Sequence, residues 1–262
     1  MLTSLKYPGD ITSYPPIWIT SKLSIDNYRL LFGYTGALWG QKGYVGRTFL
    51  ANITPYLRNS LIVGFFSTSI ALIFGASLAY GIVRFKFGGK NLYTWLLSLR
   101  MIPPVVVAIP LFILFKFFRI INTSEALIVA YLLFNIPFIT LLMVGFFSDI
   151  PPEIGEAALV DGCTNLGIFF RIMLPLVISG LVAAFIISFL TCWNELLVAN
   201  ALTISSRAQT FPVYTTMFSQ VERGTSWGPA AAGGVIGMIP MLVFSFYVQK
   251  YLARGFTAGA IK

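Results

Sequence analysis

Five stretches of this chain are each long and apolar enough to cross a bilayer as a helix, and no other property restricts the fold as severely. A helix spanning about 30 Å of hydrocarbon needs roughly 20 mostly apolar residues. The runs 56–83, 92–118, 124–147, 176–202 and 229–252 all meet that length. Backbone polar groups in lipid must be paired internally, so these runs are helices rather than loose strands. The short alternating segments of a membrane barrel do not occur. Charged residues make up 10% of the 262 positions, against about 25% in a soluble domain. The expected fold is all-α and transmembrane, with five visible spans.

Outside the spans, residues 1–55 read differently. They carry Pro8, Pro15 and Pro16, scattered charges and several turn glycines, with a short helix expected near 26–32. Residues 1–55 are expected to form a segment outside the membrane, and 56–262 the transmembrane domain. The opening residues lack the apolar core of a signal peptide. The net charge of +9 is spread over span ends, not clustered on one face as nucleic-acid binding would require. Basic residues also balance across the membrane. Arg84, Lys86, Lys90, Arg171, Lys250, Arg254 and Lys262 lie on one side; Lys42, Arg47, Arg58, Lys116, Arg119, Arg207 and Arg223 lie on the other. Charge therefore leaves orientation open.

Little chemistry is available. There is no histidine, the commonest general base. Cys163 and Cys192 form no CxxC pair, so neither metal nor cofactor is expected. Gly88-Gly89-Lys90-Asn91 resembles a phosphate-binding loop only superficially: Arg84 stands where a glycine is required and Asn91 where Ser or Thr is.

The connector 148–175 is the unusual element. A plain loop between spans would be short and polar. This one reads as two short helices hinged at Asp161-Gly162. Asp149 is a candidate cap, Pro151 and Pro152 suit a first turn, and Glu153 and Glu156 lie where the helix dipole favours carboxylates. Ala157 and Ala158 suggest a bare face open to another surface. Gly162 supplies a helix end that side chains resist, Thr164 can cap the second helix, and Pro175 opens the next span. An amphipathic helix lying on lipid is the alternative reading.

Glu156-Ala157-Ala158, Gly162, Ile172, Leu174 and Pro175 match the EAA loop of ATP-binding-cassette (ABC) importer permeases at every position of its consensus. The chain thus resembles that family. The resemblance implies a cytoplasmic coupling loop in which Glu153, Glu156, Ala157, Ala158, Asp161, Gly162, Ile172, Leu174 and Pro175 serve a separate ATP-hydrolysing subunit. It also implies the type I permease fold and a plasma-membrane location. A second permease subunit, an external solute-binding protein and membrane lipid are the further partners it implies. Softer motifs are similar to the maltose-type carbohydrate branch: NYRLLF from Asn27, NSLIVG from Asn59, RMIPPVVVAIPLF from Arg100, WNELLVA from Trp193 and the tail GFTAGAIK. Sugar cargo is expected over polyamine, phosphate or metal.

Two departures stand out. The family usually has six spans, so a first span preceding these residues is expected. The stretch 33–54 is also longer than the family's usual link, as an added external loop would be.

Within the spans, Pro103, Pro104 and Pro110, then Asn135 with Pro137, are expected to interrupt helices; Gly233, Gly234 and Gly237 with Pro240 either do the same or, the preferred reading, permit close helix packing. Such breaks are tolerated where backbone lines a cavity or packs on protein. Arg100, Asn194 and Glu195 are costly in lipid and are expected to border the solute path. Trp193 beside them could stack on a sugar ring or sit in an aromatic belt. A secondary transporter would need internal repeats and midplane ion ligands. An intramembrane enzyme would need a convergent nucleophile and base. The sequence offers neither set.

Overall fold

The structure, a computed structural model, describes residues 2–11, 13–18, 20, 23–34, 52–220, 224–225 and 227–259. Most of the 33–54 stretch, Arg223 and the end of the GFTAGAIK tail lie outside the described residues. The described residues are helical, apart from a two-residue antiparallel ladder pairing Ser219–Gln220 with Gly224–Thr225.

Three helices can cross a membrane unaided: Thr54–Phe85, Ser124–Ser148 and the Trp227–Tyr247 part of Trp227–Gly259. The other two expected spans are not single rods. The Gly89–Met101 and Pro104–Phe117 helices meet at 93°. Consecutive prolines explain the corner. The residue before a proline is pushed out of the helical region, and both Ile102 (ψ 119°) and Pro103 (ψ 134°) are extended. The fourth span runs as Ile178–Trp193, bent by 76° from the Asn165–Leu176 segment before it. At 16 residues it is about 24 Å long, short of the hydrocarbon thickness. The chain breaks at Asn194 and resumes as Leu197–Leu202.

Other prolines do not break their helices. Pro110, Pro137 and Pro240 lie inside continuous helices, as do Gly233, Gly234 and Gly237. An internal proline removes one backbone bond, and the remaining bonds of each helix keep the rod continuous. The 103–104 pair differs because two successive residues are constrained together.

Close approach organises the centre. The Thr54–Phe85 and Ser124–Ser148 helices pack along their length, with Gly75 at the tightest point: a Cβ there would sit 2.9 Å from Ile139 Cγ2 and 3.2 Å from the Thr140 backbone nitrogen. Gly180 lets the Ile178–Trp193 helix cross Phe146, whose Cγ would lie 2.5 Å from an added Cβ. Small residues at such crossings are how membrane helices gain van der Waals contact, since lipid removes the hydrophobic drive.

Polar side chains pin the end of the bundle opposite the 148–175 connector. The buried Asn59 amide donates to the Ser206 and Gln209 carbonyls, both at 3.0 Å, and Ser60 Oγ accepts from Phe211 N at 2.7 Å. Asn122 Oδ1 accepts from Ile204 N and Ser205 N at 2.9 and 3.0 Å. The expected short helix forms at Asp26–Leu31. Asn27 on it donates to the Ser4 and Lys6 carbonyls, both at 2.9 Å.

Candidate functional site

The connector has the two-helix form its sequence suggests. Pro152–Val160 is helical and ends at Gly162, whose φ of +83° is a left-handed conformation. Thr164 then caps Asn165–Ile168, its Oγ1 accepting from Gly167 N at 3.1 Å. A π-helical turn, Phe169–Met173, follows and holds Ile172. Leu174 and Pro175 form the short Leu174–Leu176 turn before the 76° bend. Pro175 therefore precedes the span instead of opening it. Asp149 is not the cap: it closes the preceding helix, and Pro151 occupies the cap position with no side-chain bond. Gly162→Val should strain this hinge by about 1–3 kcal/mol, because a β-branched residue resists positive φ. Thermal unfolding of the purified subunit would register it as a lowered midpoint.

Ala157 and Ala158 part company. Ala157 is exposed, whereas Ala158 is buried in the chain's own core with Ile168, Phe169, Met173 and Val177. Gly155 continues that contact, since a Cβ there would lie 3.2 Å from Met173 Cε. The Ala158 side of the helix is thus closed by this subunit and is not the bare face expected. Glu153, Glu156 and Asp161 are exposed. So are large apolar side chains on the same loop: Leu159, Val160 (88% exposed), Leu166 and Phe170.

A second feature lies within the bundle. A cavity of about 220 Å³ opens at the 102–103 corner, lined by Arg100, Ile102, Pro104, Tyr131, Phe134, Asn135, Thr191, Cys192 and Glu195. The corner brings Arg100 to it, the Ser124–Ser148 helix supplies Tyr131 and Asn135, and the end of Ile178–Trp193 supplies Cys192. Glu195 accepts three hydrogen bonds: from Tyr131 Oη at 2.9 Å, from Val198 N at 2.8 Å and from Ala199 N at 3.0 Å. Its carboxylate thereby caps the Leu197–Leu202 helix, a favourable place for negative charge. Asn135 Nδ2 donates to Cys192 Sγ at 2.9 Å, and Ser67 Oγ lies 3.3 Å from the same sulfur. The Arg100 guanidinium stacks over the Phe138 ring, 4.7 Å from its centroid, and makes no ion pair among the described residues.

Trp193 and Asn194 are not in this cavity. Trp193 is buried, stacked between Phe189 and Phe211, and its Nε1 donates to the Gly237 carbonyl at 3.2 Å. It packs in the core with its polar atom satisfied. Asn194 is exposed and donates to the Leu190 carbonyl at 2.8 Å. Of the four residues expected along a solute path, Arg100 and Glu195 line this cavity, whereas Trp193 and Asn194 line a second one of about 220 Å³ with Phe211 and Thr215. Sequence reading missed Tyr131, Asn135 and Cys192. Their one visible signal was polarity within apolar runs, and nothing in the runs shows that two helices bring them together.

Glu195→Gln tests the capping geometry. Glutamine has one acceptor oxygen in place of two, so one buried donor loses its partner. That should cost about 1–3 kcal/mol, read as a lower thermal midpoint in detergent.

Bent spans around a mainly apolar cavity with a few polar groups, and an ordered helical connector at one end, are the build of a membrane permease. The comparisons give the family. Residues 71–258 match the family described as "Binding-protein-dependent transport system inner membrane component". The chain belongs to that family and is a multi-pass protein of the plasma (inner) membrane. It is 32% identical over 254 residues to the probable ABC transporter permease protein YurM of Bacillus subtilis (strain 168), covering 95% of this chain and 84% of that one. It is 34% identical over 248 residues to the trehalose transport system permease protein SugB of Mycobacterium tuberculosis, covering 93% and 84%. The diacetylchitobiose uptake system permease DasC of Streptomyces coelicolor is 28% identical over 261 residues, covering 99% and 88%. Among solved structures, a chain of the MetNI methionine ABC transporter in inward-facing conformations superposes with a TM-score of 0.62 at 19% identity, covering 77% of this chain and 93% of that one. A chain of a bacterial alginate ABC transporter, solved with alginate pentasaccharide bound to its periplasmic protein, also gives 0.62, at 18% identity and covering 84% and 85%. These likenesses show the importer-permease fold.

Proposed function

We propose that this chain forms half of the translocation path for a sugar. A separate ATP-hydrolysing subunit drives it, a second permease subunit completes the path, and an external solute-binding protein delivers the cargo. The carrying observation is the connector: two short helices, hinged at a left-handed glycine, displaying apolar side chains that water and lipid headgroups would not favour. In this reading Glu153, Glu156, Ala157, Asp161 and Gly162 face or shape the ATPase contact. Ala158, Ile172, Leu174 and Pro175 hold the contact helix in place. The connector lies on the cytoplasmic side, and residues 1–55 lie outside.

Sugar cargo is favoured because relatives spanning nearly the whole chain carry trehalose and diacetylchitobiose in their names. The cavity suits such cargo. Arg100 offers donors, and Tyr131 and Glu195 offer a hydroxyl and a carboxylate, for hydroxyl groups over an apolar wall. Arg100 and Glu195 border the path in this reading.

The test reconstitutes the chain with its partner subunits and binding protein in vesicles. Labelled trehalose, maltose and diacetylchitobiose are offered beside spermidine and phosphate. Accumulation of one of the sugars, dependent on the binding protein, is the expected result. Accumulation of spermidine or phosphate alone would overturn the sugar assignment.

A further inference from the structure

The Thr54–Phe85 helix touches both features described above. Midway along it, Ser67 Oγ lies 3.3 Å and Thr68 Oγ1 3.9 Å from Sγ of Cys192, which lines the cavity. Near its end stands Arg84, whose Nη2 donates to the Ile150 carbonyl at 3.1 Å and the Pro151 carbonyl at 3.4 Å, and approaches Met173 Sδ at 3.8 Å. Ile150 and Pro151 form the turn that opens the Pro152–Val160 helix, and Met173 is the seat under its Gly155–Ala158 side. One guanidinium thus ties the far end of a membrane helix to the entry and the floor of the connector. Its Nε is buried and finds no acceptor among the described residues.

The physical fit is specific to arginine. The turn follows the C-terminus of the Ser124–Ser148 helix, where unpaired carbonyls and the negative dipole end favour a cation. Both carbonyls accept from the same Nη2, and a lysine nitrogen ends about one bond short of that position on a flexible stem. From Ser67 to Arg84 the helix rises about 25 Å at 1.5 Å per residue. The Ser67 and Arg84 positions therefore report on places too distant for direct contact.

We infer that Arg84 is a positioning residue for coupling: it fastens the connector to the Thr54–Phe85 helix, so that movement of the ATPase contact helix is carried by that span to the cavity. The inference rests on the permease reading above. Arg84 need not touch the ATPase for this; it makes the connector and the span move together.

The experiment measures ATP hydrolysed per sugar accumulated in reconstituted complexes. The sugar used is whichever of trehalose, maltose and diacetylchitobiose the wild type accumulates. Arg84→Gln should keep the ATPase subunit on co-purification. It should raise the ratio about fivefold or more, the low end of what coupling between two sites ordinarily spans. A residue needed only for folding would lower hydrolysis and uptake together and leave the ratio unchanged, and that result overturns the inference. If Arg84→Gln fails to assemble, Arg84→Lys decides. It keeps the cation at the helix end, but its nitrogen stops about one bond short of the Nη2 position and both carbonyl bonds are stretched, so a raised ratio supports the inference and a wild-type ratio refutes it. Failure of the wild-type chain to bind any ATPase would instead defeat the permease reading itself.

Discussion

Ala158→Asp should strip the ATPase subunit from the complex without touching the surface that binds it. Ala158 is buried against Met173, Ile168 and Val177, so an aspartate there places a carboxylate in an apolar seat. An unpaired buried charge costs several kcal/mol, and the cheapest escape is for the Pro152–Val160 helix to leave its seat. Even about 3 kcal/mol is more than a hundredfold in affinity. Cys163→Asp is the control, because Cys163 is exposed on the same connector and its carboxylate stays hydrated. Co-purification of the ATPase should collapse for the first variant and persist far better for the second. Equal loss in both would mean that added charge on the connector, not the loss of the Ala158 seat, releases the partner. Retention of ATPase and transport by Ala158→Asp would contradict the seat altogether.

Gly75→Val should prevent the subunit from folding stably. The added Cβ would meet Ile139 Cγ2 at 2.9 Å and a backbone nitrogen at 3.2 Å. The side chain can turn aside, but the backbone cannot. Overpacking of this kind costs about 1–3 kcal/mol and occasionally more, and valine adds two further carbons at the closest helix contact. Size-exclusion profiles of detergent extracts should show the monodisperse fraction largely lost. Gly145→Val is the control: a Cβ at Gly145 meets nothing within 4 Å, and a normal profile is expected.

The two large effects come from different depths of legibility. Span positions could be read because lipid imposes one rule on every residue in a run. The hinge at Gly162 and the cap at Thr164 were readable because those residue types carry their conformation with them. The 102–103 corner was half readable. Several prolines looked capable of breaking helices, and only the consecutive pair did, because Pro110, Pro137 and Pro240 are single defects within otherwise continuous helices.

Facing direction was not readable. An alanine is equally at home against a partner or a core, so Ala158 was placed on the open face when its own subunit covers it. Trp193 looked available for stacking because its neighbours Asn194 and Glu195 are polar. The break at Asn194 turns Trp193 into an aromatic stack and Glu195 toward Tyr131. The grouping of Tyr131, Asn135 and Cys192 depends on how two apolar helices rotate about their axes, and runs that are apolar all round carry no stripe to fix that rotation.

On the proposed function, this chain moves solute only when a partner subunit hydrolyses ATP. Uptake in vesicles should be compared between complexes carrying an intact ATPase and complexes whose ATPase has lost its catalytic carboxylate yet still binds this subunit. The account predicts sugar accumulation with the first and none above background with the second. Accumulation that persists with the disabled ATPase and follows an ion gradient would contradict it and identify a secondary transporter.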